Sequence, residues 1–317
     1  DLNGTDNLPP SQTQSTLTLV HLDSTNSTKE EYNPLDHRDV PHPTSTLGSF
    51  LHLLKSSLGT GMLAMPAAFK QIGLIPGSIG MFVVALVATH CIHILVSTSR
   101  EICKECRVPS LSYTDTCEKV FSHGPKKLRR YSKHVRHFAD YAMTGVCLGG
   151  TSVYVVFIAA SIKDIIDNFY PEHNFPTEAY CGMLLLPLIL ITQIRYLKFL
   201  VPFSMFANIC LLLAFGITFY YTFSDFPKTT DAELFVSVSS WPLFVTTAIF
   251  AMEGINVVMP VENEMTKPQN FLGYFGVLNA TMMLVSLLYG IFGILGYLKY
   301  GSHVLPSITL HLPQDEL

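Results

Sequence analysis

Seven apolar stretches, each near the roughly 20 residues a helix needs to cross a bilayer core, follow one another through most of this chain. They lie at about 47–70, 77–99, 138–163, 180–195, 199–222, 240–260 and 272–298. This pattern predicts an all-α polytopic membrane protein. The fourth stretch is short and Pro187 interrupts it, which a transmembrane helix tolerates when its neighbours re-satisfy the backbone. Charged residues make up 14% of the chain, well below the roughly 25% of soluble domains, and the mean hydropathy is +0.34.

Residues 1–46 differ from the rest. They are polar, rich in Ser, Thr, Asn and Pro, and lack apolar periodicity. Such a segment cannot bury enough apolar surface to offset chain entropy, so it reads as a disordered tail ahead of a transmembrane domain over 47–317. The chain begins at Asp1 and shows no signal-peptide pattern. Seven cysteines are present, most of them in apolar runs or in the basic connection described next, which is not a disulfide framework. Cys103 and Cys106 form one C-x-x-C pair in a loop. No second pair follows at zinc-site spacing, so no metal is expected.

Orientation follows from Lys and Arg in the connections. The stretch 100–137 alone carries ten, from Arg100 to Arg136. With Lys29, Arg38, Arg195, Lys198 and Lys267 they fall on one side. Lys70, Lys163, Lys228 and Lys299 fall on the other, and Lys55 lies inside the first span. The tail and the basic connection are therefore expected to be cytoplasmic, with 299–317 outside. On this orientation the sequons at Asn3 and Asn26 are silent. The same bias opposes a seven-span receptor, which would place its N-terminus outside. The final Gln314-Asp315-Glu316-Leu317 resembles a retrieval tetrapeptide, but Lys or His is usual where Gln314 stands. The expectation is that the chain is cut there.

Two spans contain helix-breaking residues near their middle. In the first, Gly59 and Gly61 precede Pro66, and the backbone is expected to unwind around 57–61. Unwound backbone at membrane depth persists only where it lines a cavity or is buried in protein. Its freed N–H groups and the positive end of the following half-helix suit an anion such as a carboxylate. The same small residues, Ser57 and Gly61, also suit close helix packing. In the sixth span Glu253, Gly254 and Asn256 sit together past mid-membrane, ahead of Pro260. A charge there costs on the order of 3 kcal/mol, so Glu253 either faces an aqueous cavity or pairs with a buried cation such as Lys55. The two spans run in opposite directions five apart, as in an inverted five-helix repeat with a midplane site.

The run from His52 through Lys55 and Gly59-Thr60-Gly61 to Pro66 resembles the first-helix signature of the animal proton-coupled amino acid transporters, in the amino acid/auxin permease group. Phe250 through Met265 resembles their sixth-helix signature. Gln193–Lys198 is similar to the loop after their fourth helix, and Ser307–Pro313 to the external segment after their seventh. The resemblance implies a leucine-transporter-like inverted repeat of eleven helices, here truncated after the seventh. It implies secondary active transport of small neutral amino acids of the glycine, alanine and proline class, by proton symport. The backbone at Gly59, Thr60 and Gly61, with Ser57, would bind substrate. Phe250, Ala251 and Gly254 would form the facing wall, and His52 matches the family's proton-linked histidine. Asn256 stands where the family pattern has a small residue, usually Gly, which bears on the size of side chain accepted.

His52 lies two turns before Gly59, about 10 Å toward the cytoplasmic end. An imidazole that titrates near neutrality suits a proton carrier, and it equally suits a hydrogen-bonded packing role. Glu253 is the second coupling candidate, because burial moves a carboxylate toward the working range. His90 and His93, on one face of the second span, are further candidates. The basic connection reads as a solvated surface that can meet anionic lipid. Sodium-coupled transport and an amino-acid sensor on the same fold remain as alternatives. No H-E-x-x-H, G-x-S-x-G or phosphate-loop motif is present, so neither an enzyme nor a cofactor beyond the coupling proton is expected. The partners expected are the amino acid and the bilayer, in a plasma or lysosomal/endosomal membrane, with no nucleic acid.

Overall fold

The structure is a computed structural model that describes residues 32–40, 43–170, 175–193, 201–224, 231–252 and 254–311. It is all-α. Among the described residues the β-pairing is one parallel bridge, Thr44 to Met265. Among the described residues the architecture is carried by α1 (Thr46–Ser57), α2 (Thr60–Ile72), α3 (Leu74–Cys106), α4 (Tyr113–His123), α5 (Ser132–Phe169), α6 (Thr177–Thr192), α7 (Val201–Ser224), α8 (Trp241–Ala251), α9 (Ile255–Asn263) and α10 (Val277–Tyr300). Among the described residues, four helical segments are long and apolar enough to cross a membrane, at Leu74–Cys106, Ser132–Phe169, Val238–Asn263 and Val277–His303.

Local chemistry sets the helix ends. Ser45 caps α1, its hydroxyl accepting from the Gly48 N–H at 3.1 Å. Ser112 caps α4 in the same way through the Asp115 N–H. The turn from α2 to α3 needs Gly73, whose φ is +95°. A side chain there would also lie 2.7 Å from the Leu234 carbonyl oxygen, where 231–237 runs across the turn.

α10 is the central post. Leu278, Met282, Val285, Tyr289, Phe292 and Gly296 recur at helical spacing on its buried side. It packs along α1, α2 and α3, while α8 packs on α2 and α3, and α9 on α1. Small residues allow the close approach expected between helices in lipid. A Cβ at Gly293 would stand 2.3 Å from the Phe69 ring, and one at Gly296 2.4 Å from Pro66. α5 packs mainly on α4 and α6 and meets the interrupted helices more sparsely, through contacts such as Asn256 Nδ2 to Cys147 Sγ. Its outer positions, such as Phe138 and Tyr141, are exposed, as suits a surface facing lipid.

Two regions differ from the sequence expectation. The stretch 100–137 is mostly helical rather than a loop: α3 runs on to Cys106, α4 and one turn at Lys126–Arg129 follow, and α5 begins at Ser132. Cys103 is accordingly buried within α3. Of the tail, residues 1–31 and 41–42 lie outside the described residues. Residues 32–40 form a short helical turn at Pro34–His37 and dock onto the bundle through Arg38. The reason is a buried carboxylate. Glu262, at the end of α9, has a side chain only 2% exposed and accepts from both Arg38 and Arg100. Paired burial of this kind removes charge from water that composition alone assigns to the surface.

Candidate functional site at the two helix breaks

The first span is interrupted at Leu58 and Gly59, both extended, before α2 restarts at Thr60. In the sixth, α8 ends at Ala251 and α9 begins at Ile255. Among the described residues no side chain caps the N-terminus of α2 or of α9, so their first-turn N–H groups carry the positive end of each half-helix dipole. The carbonyl ends of α1 and α8 supply the opposite polarity at the same level. The two breaks touch. A Cβ on Gly61 would lie 2.7 Å from the Ala251 Cβ and 2.9 Å from its Cα, so only glycine lets α2 and α8 meet there. Fully buried Tyr289 of α10 spans both breaks. Its hydroxyl is within hydrogen-bond reach of the carbonyl of Ser57, the last residue of α1, and of Ala251, the last of α8, the latter at 3.1 Å. A phenol has one proton, so it donates to one of these carbonyls at a time.

A cavity of about 280 Å³ opens at this junction. From the interrupted helices it is lined by Ser56, Ser57, Gly59, Gly61, Phe250, Ala251, Gly254 and Asn256. From α5 it is lined by Val146, Cys147, Gly150, Thr151 and Tyr154. Six residues singled out from sequence, Ser57, Gly59, Gly61, Phe250, Ala251 and Gly254, thus share one wall. The Ser57 hydroxyl is spent on the Leu53 carbonyl at 3.1 Å, so this residue presents its backbone rather than its side chain. Thr60, the first residue of α2, is not among the lining residues. Glu253 lies outside the described residues. His52 is exposed on α1 and is not part of the cavity lining. The α5 residues were missed by sequence reasoning. Their signal is the recurrence of small or polar groups at Cys147, Gly150, Thr151 and Tyr154 on one helical face.

The central cavity has a neighbour on each side. One, of about 730 Å³, is walled by Ala64, Thr246, Thr247, Pro306 and Leu310 and by α5 from Ser152 to Ser161, and it shares Gly61 and Phe250 with the central cavity. The other, of about 550 Å³, lies on the face that carries Arg38 and Thr44. It is walled by 110–115, Met143 and α9, and it shares Asn256 with the central cavity. All three follow α5 from Met143 to Ser161. At 1.5 Å per residue that is roughly 27 Å, close to the thickness of a bilayer core.

The chemistry at the two ends differs. Beside the Met143 end, α9 is locked in place. Arg38 donates to the Glu262 carboxylate at 3.1 Å, to its carbonyl at 3.0 Å and to the Pro109 carbonyl at 3.0 Å, and Arg100 donates to the same carboxylate at 2.9 Å. The Asn263 amide donates to the Leu111 carbonyl at 3.1 Å, and Thr44 pairs with the backbone at 264–266. Tyr113, which lines this cavity, has its phenol pKa raised by burial. At the other end the segment 305–311 forms part of the wall. There the His311 imidazole stacks on Tyr300, accepts from the Leu305 N–H at 2.9 Å, and is held below its ordinary pKa by burial. Among the described residues no group of three or more His, Cys, Asp or Glu side chains is placed to hold a metal ion.

Comparison with known proteins adds the following. The family described as "Transmembrane amino acid transporter protein" matches residues 42–317. The "Proton-coupled amino acid transporter-like protein pathetic" of Drosophila melanogaster is 40% identical over 286 residues, covering 90% of this chain and 60% of that protein. "Vacuolar amino acid transporter 4" of Saccharomyces cerevisiae is 29% identical over 285 residues, covering 86% of this chain and 37% of that protein. The chain therefore spans 60% and 37% of the length of these two relatives. No solved structure matches it significantly.

Proposed function

We propose, for a chain that belongs to the transmembrane amino acid transporter family, that it moves small neutral amino acids along the line of cavities between α5 and the two interrupted helices, by proton symport. The observation that carries this reading is the row of three cavities, with the middle one at both helix breaks.

The half-helix ends suit a zwitterion. The substrate carboxylate meets the N-terminus of α2 at Gly59, Thr60 and Gly61, where unspent N–H groups and the dipole favour negative charge. The ammonium meets the carbonyl ends of α1 and α8. Tyr289 can satisfy only one of the Ser57 and Ala251 carbonyls at a time, which leaves an acceptor for the substrate. Phe250 separates the central cavity from the one toward 305–311. Alternating access then takes the form of α5 and its partners moving against the packed interrupted helices, as in leucine-transporter-like inverted repeats.

In this reading the face carrying Arg38 and Thr44 is cytoplasmic, and His52 and Glu253 are the proton-coupling candidates. His52 is exposed on α1 and outside the central-cavity lining, which supports a role in proton exchange rather than in substrate contact. The membrane is the plasma membrane or a lysosomal or endosomal one, and the named yeast relative favours the second.

The test is uptake of radiolabelled glycine, alanine and proline by cells expressing the full-length parent, at acidic and neutral external pH, with and without sodium. Uptake that rises in acid and ignores sodium is the expected result. Uptake that requires sodium overturns the coupling. No uptake by protein confirmed at the membrane overturns transport in favour of a sensor.

A further inference from the structure

We infer that Asn256 reads the side chain of the substrate, favouring a hydroxyl or carboxamide over an apolar group of similar size. The inference rests on the transport reading above and names a selectivity that reading leaves open.

Position comes first. Asn256 is in the first turn of α9, two residues past Gly254. It is the one described residue that lines both the central cavity and the cavity beside Met143, so whatever passes between them passes its amide. At that level its Nδ2 reaches across to α5 and donates to Cys147 Sγ at 3.8 Å, a long bond to a weak acceptor.

Chemistry comes second. The Oδ1 of Asn256 is buried and has no hydrogen-bond partner. Turning the planar amide end for end changes which polar atom is left over, but still leaves one. Buried polar atoms in folded proteins almost always have partners, because leaving one unmade is unfavourable. Other hydroxyls around this cavity are committed: Ser56 and Ser57 donate to the Leu53 carbonyl, and Thr151 to the Cys147 carbonyl at 2.8 Å. The Tyr154 hydroxyl stands beside Gly59, 3.8 Å from where a Cβ would be, at the break assigned to the main-chain carboxylate. Asn256 belongs to the other break. Its amide can both donate and accept, which matches a hydroxyl or a carboxamide and gives nothing to a methyl group.

The experiment compares serine and alanine, which differ by one hydroxyl, in uptake by the full-length parent and by Asn256→Ala, Asn256→Ser and Asn256→Leu. The quantity read is the ratio of Vmax/KM for serine to that for alanine. The parent is expected to favour serine. Asn256→Ala and Asn256→Leu are expected to lower the ratio about tenfold, the scale of one lost hydrogen bond, and Asn256→Ser to recover part of it. Equal losses for both substrates, with the ratio unchanged, overturn the assignment and leave Asn256 a packing residue. A second readout needs no transport: the rise in melting temperature of the purified protein with serine against alanine. A parent inactive in uptake whose serine-specific shift disappears in Asn256→Ala sinks the transport reading and supports the assignment. A parent stabilised equally by serine and alanine overturns the assignment.

Discussion

The two walls of the central cavity are built on opposite principles. One wall is the assembly of α1, α2, α8 and α9 around α10, and the other is α5. Within the apolar stretch of α10, 56% of residues are buried inside the protein, against 6% for α5. The first wall holds its shape by interlocking: Gly61 against Ala251, Gly293 against Phe69, and Tyr289 bridging two helix ends. α5 holds its shape by being a single unbroken helix of 38 residues. Under the transport reading, a site that recognises a ligand and opens to either side can use this division, with recognition groups on backbone fixed by dense packing and the helix across the gap as the moving partner.

The sharpest way to break this comparison is to enlarge one glycine on each wall. Gly61→Val puts carbon into the Ala251 backbone, whereas Gly150→Val extends into open space, with nothing within 4 Å of its Cβ. Both are expected to lower uptake by the full-length parent on the order of 100-fold, the scale of losing substrate positioning. Only Gly61→Val should also lower the melting temperature. Equal destabilisation by the two would mean that α5 is packed as tightly as the wall it faces.

Next in size is the ion pairing. Removing the Glu262 carboxylate strands the nearly buried Arg38 and the partly buried Arg100. Glu262→Ala is therefore expected to destabilise the protein by about 3–5 kcal/mol, read by chemical or thermal unfolding in detergent. Arg136→Ala, which breaks the exposed pairs to Asp115 and Glu118 on the α4–α5 side, should leave unfolding unchanged. Tyr289→Phe leaves the Ser57 and Ala251 carbonyls without their phenol partner. The expected loss is about 1–3 kcal/mol, with a raised KM because the two breaks no longer share a tie.

The smallest effect concerns the far end. Burial lowers the pKa of His311 from the ordinary 6.5, so the folded protein favours the neutral imidazole that accepts from Leu305. The unfolded chain takes up its proton first as pH falls. The contribution is therefore intact above about pH 6.5 and is lost as pH drops below it toward the folded value. His311→Phe should flatten this acid-side decline in melting temperature. An unchanged decline would assign it to other groups.

The same contrast explains what could be read from residues alone. The interruptions at Leu58–Gly59 and between α8 and α9 were legible because Gly59, Gly61 and Gly254, with Pro66 and Pro260 beyond, are strong local signals inside apolar runs. The α5 lining was not. In a helix that meets lipid on one side and a cavity on the other, both faces are largely apolar, so periodicity does not separate them. Arg38 and Arg100 were readable as charges that set sidedness. Their burial on Glu262 was not, because the partner lies 224 and 162 residues away in sequence. The helix at Tyr113–His123 was hidden for a simpler reason: in a stretch dominated by charge, its short amphipathic pattern carried little weight.

The central claim is that the space between α5 and the interrupted helices is the substrate's path. Cys147 tests it directly, since its thiol lines the central cavity from the α5 side. The measurement is the rate at which a small, charged thiol reagent labels Cys147 in the membrane-embedded full-length parent, with and without saturating alanine, using Cys147→Ala to identify the signal. The account predicts labelling that blocks uptake and that alanine slows. Labelling of Cys147 that leaves uptake intact, or that alanine does not affect, would contradict it.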